Sequence, residues 1–156
     1  NNNYVEWRAM WHVVAFGQHR MLDSETGDIY AMSTEFTRDV DARKVRRLRR
    51  APTVESENKR LYYSSFELDV ETGSATYAGD AVDPEVMLRY SNDGGRTWGP
   101  EMMRSTGRSG KYSTRVRWLR LGSARKRVFE IIMTDNILWK IMNAYLTGPQ
   151  FRQQNG

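Results

Sequence analysis

Apolar residues recur along this chain in short runs of strand length, each cut off by glycine, proline, asparagine or aspartate. Trp11 to Phe16 reads as a β run ended by Gly17. Arg20 to Leu22 then leads through Ser24-Glu25-Thr26-Gly27 into Ile29-Tyr30-Ala31-Met32, which predicts a hairpin. Val45 to Ala51 predicts an extended segment stopped by Pro52, and Leu61 to Val70 a single long strand ended by Glu71-Thr72-Gly73. Val86 to Tyr90, Ser113 to Leu121, Arg127 to Thr134 and Ile137 to Leu146 predict further strands, with turns at Gly122-Ser123 and Asp135-Asn136. Leu138 to Leu146 has helical propensity as well, but its place among strands favours β. Ser74 to Pro84 reads as a polar loop long enough to make contacts.

The fold this predicts is all-β, an antiparallel meander. Its cadence of roughly 35 to 45 residues per group of strands resembles propeller blades. No close internal repeat is visible, which points to part of a larger propeller rather than a small symmetric one. Residues 1–150 are expected to form one β domain and 151–156 a flexible tail. The start at Asn1-Asn2-Asn3, without Met, hints at the C-terminal part of a longer protein.

One string carries more local information than any other, Ser91-Asn92-Asp93-Gly94-Gly95-Arg96-Thr97-Trp98, which predicts a tight β-hairpin. Asp93 can accept hydrogen bonds from turn N–H groups, Gly94 and Gly95 tolerate positive φ, and Trp98 is expected to pin a returning strand to a core. Ser91, Asp93, Gly95, Thr97 and Trp98 fill the five specified positions of the Asp-box pattern Ser-x-Asp-x-Gly-x-Thr-Trp. That pattern recurs in propellers and other β folds, sialidases included, usually away from the catalytic centre, so a structural corner is the expectation.

Charge is segregated. Met102 to Phe129 holds nine Lys or Arg and no acid, whereas Ala51 to Glu101 holds ten acids and four bases. A second basic knot, Arg43 to Arg50, has six cations in eight positions. Arg46, Arg47, Arg49, Arg50, Arg115, Arg117 and Arg120 are therefore candidate contacts to a neighbouring subunit or to DNA phosphates. Solvent exposure or pairing within the chain is the other reading of these blocks, and the alternation in Arg115-Val116-Arg117-Trp118 suits a solvated strand face.

Enzyme chemistry finds little support. There is no Cys, no Gly-rich phosphate loop and no nucleophile motif. His12 and His19 are seven apart with no carboxylate set beside them, so neither metal nor cofactor is expected. A sialidase-like site would need an arginine cluster, a Tyr nucleophile and an acid in convergent spacing, which is absent. Apolar runs fall far short of the ~20 residues of a membrane span. A non-catalytic carbohydrate-binding module remains the alternative, with Trp7, Trp11 or Tyr77 as stacking platforms.

Several motifs in order carry a family resemblance: Gly27-Asp28-Ile29-Tyr30, Arg49-Arg50-Ala51-Pro52, the run Val86 to Trp98, Gly110 to Arg115, Trp118 to Gly122, Arg127 to Glu130, and Ala144-Tyr145. Together they resemble the packaged-DNA stabilisation proteins of short-tailed bacteriophages. The resemblance implies a structural virion protein of the tail, assembled in the host cytoplasm. It implies a homo-oligomeric hub ring, a hexamer, that closes the portal channel and retains packaged DNA. Its implied partners are a portal-side adaptor ring, a tail needle and tailspikes, with non-specific DNA contact and no membrane. Acidic and basic regions of adjacent copies could pair head to tail around such a ring.

Overall fold

The computed structural model describes residues 8–33, 36, 38, 44–71, 83–137 and 139–148. The described residues form thirteen strands, all paired antiparallel, and no helix. In particular, no helix is long and apolar enough to cross a membrane.

β1 (Ala9–Ala15), β2 (Gln18–Asp23) and β3 (Ile29–Met32) make a three-stranded sheet in chain order. The first turn places Phe16 and Gly17 at positive φ. The second is organised by the buried Asp23, whose Oδ1 accepts from the N–H of Glu25 and of Thr26 while Arg8 pairs with its carboxylate. This sheet contributes nothing to the buried apolar cluster. Its pairing puts Trp11, Val13, Leu22 and Ile29 on one face and Val14, Met21, Tyr30 and Met32 on the other. Trp11, Val13, Val14, Ile29 and Met32 are all exposed.

The remaining strands build two facing sheets. One runs β4 (Arg47–Arg50), β12 (Lys126–Met133), β8 (Glu85–Ser91), β9 (Met102–Ser105), with β5 (Val54–Glu55) pairing the start of β12. The other runs β10 (Val116–Leu119), β7 (Ser65–Val70), β13 (Ile141–Thr147). A short pair, β11 (Ser123–Ala124) with β6 (Leu61–Tyr62), completes the set. Strand alternation aims Phe66, Leu68 and Val70 of β7 and Val116 and Trp118 of β10 at Val86 and Leu88 of β8 and Phe129, Ile131 and Met133 of β12. Phe66 packs edge-on to Trp118 at 6.0 Å and against Phe129 at 5.1 Å. Trp118 Nε1 donates to the Met102 carbonyl at 2.8 Å, tying β10 to β9. Each fully buried apolar side chain in this layer contributes about 1.5–3 kcal/mol.

The all-β, antiparallel expectation agrees with this architecture; the meander of four-stranded blades does not. β12 sits between β4 and β8, and β7 between β10 and β13, so most sheet neighbours are remote in sequence, and among the described residues no sheet closes on itself. Strand cadence reports where strands lie, whereas pairing follows from which faces bury each other. The predicted long strand Leu61 to Val70 breaks at Tyr63-Ser64, because its halves join different partners, β11 and the β10-β13 pair. Ser113 to Leu121 shortens to β10, and the last strand begins at Ile141 rather than Ile137, after a turn at Asp135–Ile137. That turn is held by Arg47, which donates to the carbonyls of Asp135 and of Ile137. Trp7, Tyr77, Leu138, most of the Ser74 to Pro84 loop and the 151–156 tail lie outside the described residues.

Candidate functional site: a turn folded over an arginine array

Ser91 ends β8, and the chain then folds back on itself within six residues. Ser91 Oγ accepts from the Gly95 N–H at 2.8 Å and donates to Asp93 Oδ1 at 2.6 Å. The Asp93 carboxylate accepts from the N–H groups of Arg96 and Thr97, each 2.9 Å from Oδ1, and from Thr97 Oγ1 at 2.6 Å. Gly94 and Gly95 lie at φ +78° and +94°, where a side chain would be strained. Trp98 Nε1 donates to the Gly95 carbonyl at 3.1 Å. The hydroxyl groups of Ser91 and Thr97, followed by the turn N–H groups, hold the Asp93 carboxyl well below the ordinary aspartate range.

Two expectations for this string need correction. It is not a tight hairpin: after the turn the chain runs irregularly, and the returning strand starts at Met102, paired with Leu88. Nor does Trp98 enter the apolar core. It lies half-buried on the other side of the five-stranded sheet, with the guanidinium carbon of Arg50 5.0 Å and that of Arg89 4.8 Å from its ring centre.

Beneath that ring is a feature the sequence reading missed. Glu130 on β12 is fully buried between β4 and β8, directly opposite Arg50 and Arg89 in register. Arg50 Nε donates to Oε1 at 2.8 Å and Arg89 Nε to Oε2 at 2.6 Å. Nη2 of each arginine also lies 2.6 Å from the oxygen that its own Nε contacts. Glu101 adds a second negative charge, 3.8 Å from Arg89 Nη1 and 2.6 Å from Arg46 Nη2. The one signal in the sequence was parity, since Arg89 and Glu130 sit at strand positions whose neighbours alternate toward the core. It could not say that the two would meet.

A second arginine is buried on the core side of the same strand. Arg127 lies 4.0 Å from the Tyr90 ring centre, 4.4 Å from that of Tyr63 and 5.8 Å from that of Phe129. Its Nε donates to Asn92 Oδ1 at 2.8 Å and its Nη1 to the Leu121 carbonyl at 2.5 Å. Burial lowers its pKa and raises that of Tyr63, yet a guanidinium stays charged at any physiological pH. Three π faces and two oxygen acceptors thus stand in for a counter-ion.

The arginines singled out from charge fall into different roles. Arg50 is taken by Glu130, and Arg47 by two backbone carbonyls, with burial lowering its pKa. Arg46 pairs with Glu101, and Arg115 makes a two-point pair with Glu67 at 2.9 and 2.8 Å. Each of these has a partner within its own chain, the intramolecular pairing that the charge blocks also allow, while Arg46, Arg50 and Arg115 stay solvent-exposed. Arg49, Arg117 and Arg120 are exposed, Arg120 with φ +58°. His12 and His19 come together across the first hairpin, Nε2 to Nδ1 2.8 Å, with rings stacked at 5.0 Å. Among the described residues no group of three or more His, Cys, Asp or Glu could hold a metal ion.

A two-layer β-sandwich with an internally bonded turn and several arginines paired within the chain is the class of protein this fold defines. Residues 46–148 match the family described as Bacteriophage P22 Gp10, beta-sandwich. The chain therefore belongs to this bacteriophage family, whose sandwich is the two-sheet body seen here. A comparison with curated proteins gives no match.

Proposed function

We propose that the chain is a structural protein of a phage tail, working as a hub ring that closes the portal channel, retains packaged DNA and links the upper tail to its distal parts. The reading takes family membership as its base. The observation that carries it further is the β1-β2-β3 sheet, which leaves apolar side chains uncovered on both faces, Trp11 at 73% exposure on one and Val14 at 60% on the other. A sheet of three strands draws its stability from burying an apolar face, and here both faces stay open; apolar surface of this extent marks a protein–protein interface. The work is done by contact surfaces, without bond chemistry, in a homo-oligomer whose neighbours are the adaptor ring, needle and tailspikes.

Sedimentation velocity of the full chain at micromolar concentration should give a species larger than the 18.2 kDa monomer. Trp11→Glu with Val13→Glu should reduce it to monomer while the urea midpoint of the sandwich holds. Wild-type protein, unlike that variant, should restore DNA retention to particles lacking their hub. A monomer at every concentration, with no restoration, rejects the reading.

A further inference from the structure

Beside the turn is a concavity of about 390 Å³ lined by Asn58, Arg60, Asn92, Ser123, Ala124, Arg125 and Lys126. We propose that it is a carboxylate-binding pocket that receives an acidic side chain from a partner protein segment. The lining holds three cations and no acid. Its neutral polar members can all donate. Arg127 has only donors, so the Asn92 amide must turn Oδ1 toward it, which leaves the Asn92 NH₂ group to serve the pocket. Ser123 Oγ accepts from Arg60 Nη1 at 3.2 Å, which keeps its own O–H available. The buried Arg127 in its aromatic cage thereby orients a donor at the surface.

The second wall is built under strain. Glu57 and Asn58 both lie at positive φ, +44° and +58°, in a turn closed by the Lys59 N–H donating to the Ser56 carbonyl at 2.7 Å. A glutamate in that conformation is disfavoured by the clash of its Cβ with the backbone, and the bonds of Lys59 to the Ser56 carbonyl and to the Glu57 carboxylate hold it there. Two planar guanidiniums at one concavity suit a carboxylate, which each can grip at two points.

The occupant is an acidic protein segment, not a nucleic acid, because of what surrounds the donors. Glu57 adjoins Asn58, Asp93 adjoins Asn92, and Glu55 pairs with Lys126 at 3.3 Å. A duplex, with one charge per about 1.7 Å of axis, would lay several phosphates across these carboxylates, whereas a single side-chain carboxylate enters between them. The pocket stands on its own donors and does not depend on the hub reading.

The test is NMR of the ¹⁵N-labelled full chain, following the Arg Nε–H and Asn side-chain signals. Acetylated Asp-Glu dipeptide amide, inorganic phosphate and a short DNA duplex are titrated in turn. The dipeptide should shift the Arg60, Arg125 and Asn92 signals saturably, with binding weakened at least about fivefold in Arg125→Gln and Arg60→Gln and unchanged in Arg115→Gln. Both pocket arginines are exposed, so these variants keep the fold, which the amide spectrum verifies. Tighter binding of duplex or phosphate than of dipeptide at these signals overturns the proposal, as does the absence of any pocket shift.

Discussion

Replacing Glu130 by glutamine tests whether the array beneath Trp98 is held by its one fully buried charge. Glu130 has no exposed surface, and Arg89 keeps only 7% of its side chain exposed, so neither can recover water when the other loses its charge. Arg50, 49% exposed, can swing outward. The substituted amide could offer its single oxygen to Arg89 and would set its NH₂ against Arg50. Removing one partner of a buried pair costs about 3–5 kcal/mol, because the partner stays desolvated. The Glu101 carboxylate, 3.8 Å from Arg89 Nη1, offsets part of this, which places the expected loss near about 3 kcal/mol. For a sandwich of this size that is a drop in Tm on the order of 10–15 °C. Urea unfolding followed by circular dichroism and tryptophan emission reads it, with Glu101→Gln, whose carboxylate is partly solvent-screened, as a control expected to lose about 1 kcal/mol or less. If Glu130→Gln unfolds within about 1 kcal/mol of the parent, or no earlier than Glu101→Gln, the buried carboxylate is not what organises the array.

Other outcomes follow from the same geometry. The Asp93 carboxyl is depressed in the folded state, so its contribution is present above the ordinary value near about 3.9 and is lost as pH falls toward the folded one. Urea midpoints measured downward from about pH 5 should therefore fall in the parent and stay flatter in Asp93→Asn. Trp118→Ala removes a side chain 1% exposed at the centre of the core and should cost about 3–5 kcal/mol by urea unfolding. Glu57→Gly relieves a left-handed glutamate and should raise stability by about 1 kcal/mol, with an unchanged midpoint counting against strain at that turn. Arg127→Lys loses the planar fork and its stacking on Tyr63 and Tyr90. It should destabilise by about 2 kcal/mol and release the Asn92 side-chain signal from its fixed position.

The sequence by itself determined the class and the local corner. Alternation and turn residues marked most of the strands, and the Ser91 to Trp98 turn was legible because its hydrogen bonds span four residues or fewer. What only the tertiary structure decided is which strands pair and where the charges settle. Glu130 meets Arg89 from 41 residues away and Arg50 from 80, and nothing near any of them in the chain distinguishes a neutralised arginine from a free one. Basic runs that look alike in sequence thus divide into Arg47 and Arg50, held by their own chain, and Arg49, Arg117 and Arg120 at the surface. Sandwich against blades was settled in the same way. Local pattern sets which face of a strand is apolar, but the partner for that face is chosen by burial across the whole chain.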